Sequence, residues 1–152
     1  MFRGLTSINM DPKGRMALPT RYRDAVVERC SGGMIATIDT EEKCLLLYPL
    51  PDWQEIERKI EALPSFNKAA RRVQRLLIGH ASEVELDSAG RIMIPQVLRE
   101  YAGLDKRILL VGQGKKFEIW SEDAWNAKRD EWLDEESQAD EGLPEMMQNL
   151  SL

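Results

Sequence analysis

DPKGRMALP, residues 11–19, returns 76 positions later as DSAGRIMIP, residues 87–95. Aspartate, glycine, arginine and proline keep their places, and every position between arginine and proline stays apolar. Asp11-Pro12-Lys13-Gly14 has the composition of a type I turn closed by a glycine in the left-handed region. A turn of that kind is a common connection between two antiparallel strands. Asp87-Ser88-Ala89-Gly90 offers the same chemistry again. The chain therefore contains an internal repeat, and the repeat begins with a hairpin.

Working outward from the first copy, residues 3–10 alternate loosely as an incoming strand, and residues 15–18 form the return strand. Pro19 suits the start of a short helix over TRYRDAVVERC, which Gly32-Gly33 is expected to end. MIATID (34–39) and CLLLYP (44–49) flank a polar link and predict a second hairpin. Pro51-Asp52 opens a helix with Trp53, Ile56, Ile60 and Leu63 on one face, stopped by Pro64. KAARRVQRLLIGH predicts another amphipathic helix, with Ala70, Val73 and Leu77 inward and Lys68, Arg71, Arg72 and Arg75 outward. The order then repeats: SEVELD and RIMI around a turn, a helix over QVLREYA ended by Gly103, a hairpin of RILLVG and FEIW, and a helix opening at Ser121. Helix strength fades after Leu133.

The division this implies is a first half over residues 1–66, a connecting basic helix over 67–80, a second half over 81–136 and an acidic, frayed end over 137–152. Each half holds roughly 30 residues of strand and turn before its long helix, too few for a core of its own, since chains below about 40 residues usually need staples or a partner. The simplest partner is the other copy. The predicted fold is α+β and β-rich, with two interleaved halves forming one pseudo-symmetric barrel flanked by helices.

Composition narrows the function. No apolar run approaches the roughly 20 residues of a membrane span, and the first residues lack the apolar core of a signal peptide, so a cytoplasmic protein is expected. Cys30 and Cys44 have one histidine, His80, to accompany them, too few ligands for a zinc site; two free thiols are the expectation in a reducing compartment. No nucleophile, P-loop or metal-ligand spacing is present. His80, following Gly79 at a helix end, fits a cap better than a general base. No enzymatic activity, cofactor, metal or small-molecule substrate is expected. The formal charge of −5 argues at first against a nucleic acid. Residues 121–152, however, carry ten acids and two bases, which leaves residues 1–120 at +3. The acid is concentrated at one end and the body is mildly basic.

Within the repeated phrase, Asp11, Gly14, Asp87 and Gly90 have structural work: the aspartates accept from backbone N–H groups two positions on, and the glycines supply positive φ. Arg15 and Arg91 do not follow from turn geometry. One reading is an ion pair with the aspartate four residues back. The other is a guanidinium offered to phosphate oxygens or a guanine edge, and the two readings are compatible. Lys13 and Arg3 add charge expected at the same end of the first hairpin; Arg91 has Ala89 in place of the lysine. The outward arginines of helix 67–78 are the competing basic surface.

The paired Asp-x-x-x-Arg turns, with GLTSINMDPKGRMALPTRYRD, CLLLYPLPDW and RRVQRLLIGHASEVELDSAGRIMIP around them, closely resemble the MraZ family of bacterial transcription regulators from Phe2 to about Leu133. The resemblance implies a tandem of SpoVT/AbrB-like swapped-hairpin halves in each chain and a ring of subunits, a homo-oligomer. It implies a nucleoid-associated regulator binding short direct repeats of double-stranded DNA in the promoter of the bacterial division and cell-wall gene cluster. Carried onto this chain, the implied motif is Asp11 with Arg15 and Asp87 with Arg91. AbrB-like domains also occur in antitoxins as protein-binding modules, and that is the alternative reading; such antitoxins usually carry one hairpin copy and a long tail.

Overall fold

The computed structural model describes residues 1–138 and 144–150 of the 152. They divide into two compact units, Met1–Glu122 and Asp123–Leu152. In the first unit the chain runs β1 (Phe2–Asn9), β2 (Arg15–Ala17), α1 (Thr20–Cys30), β3 (Gly33–Ile38), β4 (Leu45–Pro49), α2 (Leu50–Glu61) and α3 (Lys68–Val73). A π-helical turn, Gln74–Ile78, follows without a break, and then β5 (Ser82–Glu85), β6 (Arg91–Met93), α4 (Gln96–Ala102), β7 (Arg107–Gly114) and β8 (Phe117–Ser121). Helix α5 spans Glu122–Gln138, and Glu145–Met147 form a 3-10 turn. The fraying expected from residue 137 onward falls partly on residues 139–143 and 151–152, outside the described residues.

Strand pairing crosses between the halves. Six strands form one sheet in the order β1-β7-β8-β4-β3-β5, and β2 pairs with β6 in a separate ribbon. Phe2–Asn9 of the first half lies antiparallel to Arg107–Gly114 of the second, while Gly33–Ala36 lies against Ser82–Glu85. The expected barrel does not close. The three-residue strands β2 and β6 use their ladder bonds on one another, and β1 and β5 remain the edges of an open sheet. The resulting α+β fold is mainly antiparallel.

One face of the sheet, the ribbon, α1 and α4 share a single core. Met34, Ala36, Leu45, Leu47, Ile108, Leu110, Phe117 and Ile119 point into it with the two-residue period of strands. Met16 and Ile92, the middle residues of the ribbon, meet them there, as do Val26 and Leu98 from the helices. Residues of both halves fill this core, as the shortness of each half required. Phe2 stacks on Phe117 with ring centres 4.2 Å apart, and Tyr22 stands edge-on to Phe117 at 4.9 Å. On the opposite face Ile35, Tyr48 and Trp53 are buried together, with Leu46, Ile56, Leu77 and Ile78 packed around them. Leu63, assigned by its spacing to the buried face of α2, lies beyond the helix end and is exposed.

Local endings differ from expectation in one instructive place. Helix α1 is terminated by Ser31 in the left-handed region (φ 56°), followed by Gly32 at φ 88°. In the second half Gly103 takes the equivalent position at φ 62°.

Candidate nucleic-acid interface

The two repeated turns are built alike in every bond made by their backbone. The Gly14 N–H donates to the Asp11 carbonyl at 2.9 Å and Gly90 N–H to the Asp87 carbonyl at 3.0 Å, closing each turn. The glycines have φ of 85° and 78°, as a turn of this type requires. Asp11 Oδ1 accepts from the backbone N–H of Lys13 (3.0 Å) and of Arg15 (2.9 Å). Asp87 Oδ1 does the same for Ala89 (2.9 Å) and Arg91 (2.8 Å). These backbone donors, that of the arginine foremost, hold both carboxyls below the ordinary carboxylate range.

The ribbon brings the motifs together. Its register is Arg15↔Met93, Met16↔Ile92 and Ala17↔Arg91. Met16 and Ile92 are buried, so Arg15, Ala17, Arg91 and Met93 share the outward face. Arg15 and Arg91 are diagonal neighbours across it, a relation that places their backbones about 7–8 Å apart. Both side chains are more than a third exposed. Arg15 Nε donates to Asp11 Oδ2 at 2.5 Å, which ties the planar group to the turn through one nitrogen. Arg91 Nε stands 3.5 Å from Asp87 Oδ2, a looser contact. The ion-pair reading and the outward-guanidinium reading are thus both compatible with one geometry, and two arginines foreseen on separate hairpins form one surface.

Lys13 lies exposed in the first turn beside them. Arg3 does not join them. It pairs with Gln113 near the start of β1, six residues and about 20 Å of extended strand before Asn9. Its carbonyl accepts from the Tyr22 hydroxyl at that far end. The expectation that Arg3 adds charge at the turn is corrected by the length of β1. Arg71, Arg72 and Arg75 are exposed on α3 and the π turn; Leu77 and Ile78 of that turn pack on the opposite face of the sheet from the ribbon, while Leu76 packs against the core that the ribbon shares.

A family model described as "MraZ protein, putative antitoxin-like" matches the chain twice, over residues 1–76 and 77–143. The chain belongs to the MraZ family. Relatives bearing the name Transcriptional regulator MraZ are 56% identical in Coxiella burnetii (strain RSA 493 / Nine Mile phase I) and 52% identical in Halorhodospira halophila (strain DSM 244 / SL1). Another in Legionella pneumophila (strain Paris) is 54% identical. Each comparison covers 100% of both chains. The seam between the two MraZ repeats, residues 76 and 77, falls inside the π turn.

Two residues of the MraZ repeats escaped the sequence reading. Arg23 and Arg99 stand 76 positions apart, eight after Arg15 and Arg91, and both lie against the turns. Their signal was the repeat offset itself, which the helical pattern around them masked. His80 Nδ1 lies 2.8 Å from the Leu76 carbonyl, a capping contact. Among the described residues one group has metal-ligand proximity: Asp39, Cys44 and Glu118 bring ligand atoms within 4.8 Å of one another. Those atoms are engaged with protein. Glu118 accepts from Trp120 Nε1 at 2.8 Å, and Asp39 Oδ2 accepts from the Glu42 N–H and, at 3.8 Å, from Cys44. Burial pushes the Cys44 thiol up, away from the thiolate a metal would need. Cys30 and Cys44 are both free thiols. No helix among the described residues is long and apolar enough to cross a membrane.

Proposed function

We propose that this protein is a sequence-specific DNA-binding transcription regulator whose contact surface is the outward face of the β2–β6 ribbon. The observation that carries the reading is the placement of two arginines on one exposed face, Arg15 hydrogen-bonded to Asp11 and Arg91 in a looser ion contact with Asp87. A guanidinium held at Nε presents a planar fork suited to two phosphate oxygens or to the O6 and N7 of guanine. Lys13 supplies a further phosphate contact on the first side, where Ala89 supplies none on the second. The names carried by the relatives support a regulatory role. The regulated genes are the bacterial division and cell-wall cluster, including the protein's own promoter, and the operator is a set of short direct repeats. The two halves, 1–66 and 81–136 joined by the basic segment 67–80, act as one DNA-binding module, and the crossing of strands between them supports a swapped-hairpin description. Subunits assemble into a ring in the cytoplasm, at the nucleoid, and the protein acts without a cofactor or enzymatic step.

The test is an electrophoretic shift on the promoter upstream of its own gene. Arg15→Ala is expected to abolish the shift and Arg91→Ala to weaken it, each lost bidentate contact being worth about 1–3 kcal/mol. Arg71, Arg72 and Arg75 changed together to Gln should leave it nearly intact. The reverse pattern moves the site to the α3 surface. Loss of no shift in any variant, with capture of a protein partner by the same ribbon, favours the antitoxin-type reading instead.

A further inference from the structure

We infer that Arg23 and Arg99 are positioning residues for the arginine-bearing turns, and that each acts on the turn of the opposite half. The inference rests on the reading of Arg15 and Arg91 as DNA contacts and adds what holds them in place. Arg23, on α1 of the first half, donates from Nε to the Leu18 carbonyl at 2.6 Å. The Leu18 N–H in turn donates to the Gly90 carbonyl of the second half at 2.9 Å. A Cβ placed on Gly90 would lie 2.4 Å from both Cζ and Nε of Arg23. The guanidinium is therefore flush against the backbone of the second turn, one residue before Arg91. The mirror arrangement holds on the other side. Arg99 Nε donates to the Ile94 carbonyl at 3.0 Å, and the Ile94 N–H donates to the Gly14 carbonyl at 2.9 Å. A Cβ on Gly14 would meet Arg99 Nε at 2.5 Å.

Two consequences follow from this crossed packing. Gly14 is required for space as well as for its positive φ, because a Cβ there would also meet the Ile94 carbonyl at 2.7 Å, whereas at Gly90 the volume a methyl would take is filled by the Arg23 guanidinium alone. The group must also be planar: a guanidinium fills the thin space beside the glycine while its Nε donates sideways, and an ammonium on a flexible stem does not. Each half thus sets the conformation of the other half's turn, so each of the two arginines is held in place from the opposite half.

The test uses the full-length protein and two readouts. Without DNA, hydrogen–deuterium exchange is followed by mass spectrometry in peptides covering residues 10–17 and 86–93. Arg23→Gln is expected to speed exchange several-fold in 86–93 with 10–17 unmoved, and Arg99→Gln the reverse, since an amide exchanges through local opening. Faster exchange in the turn of the same half, or in neither, overturns the inference. With DNA, Arg23→Gln should lower affinity about tenfold in the wild-type background but less than about twofold in the Arg91→Ala background, since residues acting through one group are non-additive. Equal losses in both backgrounds mean that Arg23 acts directly or through its charge, which overturns the positioning role. Arg23→Lys keeps the charge and is expected to resemble Arg23→Gln in exchange; wild-type exchange in that variant overturns the need for a planar group. If Arg15→Ala and Arg91→Ala both leave DNA binding unchanged, the DNA site itself fails, and the exchange data still decide the crossed contact.

Discussion

Gly14 and Gly103 both have left-handed backbones, φ 85° and 62°, but only Gly14 is crowded. A Cβ at Gly103 would meet nothing within 4 Å, whereas one at Gly14 would meet Arg99 Nε at 2.5 Å and the Ile94 carbonyl at 2.7 Å. Gly103→Ala should therefore cost only the left-handed conformation, about 1–2 kcal/mol. Gly14→Ala should cost that plus overpacking, a further 1–3 kcal/mol or so. Urea midpoints of the two variants measure the difference, and equal losses would mean that Arg99 yields to the methyl. The turn aspartates make a second prediction at this scale. Asp11 and Asp87 have native pKa values below their ordinary 3.8, chiefly through the Arg15 and Arg91 backbone donors. Folding therefore favours the charged form. That contribution is complete above the unfolded value and is lost as pH falls through the lower native value. Between about pH 5 and pH 3 the wild-type urea midpoint should fall more steeply than that of the Asp11→Asn, Asp87→Asn double variant. Parallel curves would show that the carboxylates contribute nothing that depends on their charge.

Among the elements, the π turn at Gln74–Ile78 is held by a residue that lies 40 positions away in sequence. Its Gly79 N–H reaches back five residues to the Gln74 carbonyl at 3.1 Å. The Leu77 carbonyl accepts from the hydroxyl of Thr37, fully buried on β3, at 2.7 Å. Thr37→Val keeps the shape and strand preference but leaves that carbonyl without its donor, which should destabilise the fold by about 1–3 kcal/mol; a midpoint unchanged from wild type would show that another donor replaces the hydroxyl. A contact spanning 40 residues is invisible to helical periodicity, so LLIGH read as ordinary amphipathic helix. The same limit explains the other departures. Alternation in MIATID and RILLVG marked which side chains face inward, but it names no neighbour, and whether the sheet closed depended on β2 and β6 being only three residues long. Arg3 stands far from the turn because β1 runs on to Asn9 beyond it, a length that alternation alone does not give. What the residues did carry was local chemistry repeated at a fixed offset: aspartate, glycine and arginine in each turn, the proline after each strand, and Gly103 at its helix end. Those positions agree with the structure because their causes lie within a few residues of them.

For the molecule as a whole, the separation of charge and the doubling of the motif bear on how DNA would be held. The body of residues 1–120 carries a net +3 against −8 over 121–152, so no broad basic field draws the polyanion in. One ribbon offers Arg15, Arg91 and Lys13, enough for two or three phosphate contacts. Affinity of that kind falls with salt at a log–log slope of about −0.9 per neutralised phosphate. A single ribbon on a single site would thus bind feebly at physiological ionic strength. Several ribbons fixed on one assembly change the problem, because after the first engages, each further repeat is met at high effective concentration. The proposed mode of binding then predicts that three or four direct repeats are bound about 10²–10⁴-fold more tightly than one. The array should also show the steeper salt dependence, in proportion to the phosphates engaged. Inserting about 5 bp, half a helical turn, between repeats would swing alternate sites to the far side of the duplex and should remove most of the gain. Titrations of the four duplexes, one repeat, the array, the spaced array and a scrambled control, across a salt series decide the matter. A single repeat bound as tightly as the array, with the same salt slope, would show that one ribbon suffices and that assembly has no part in holding the operator.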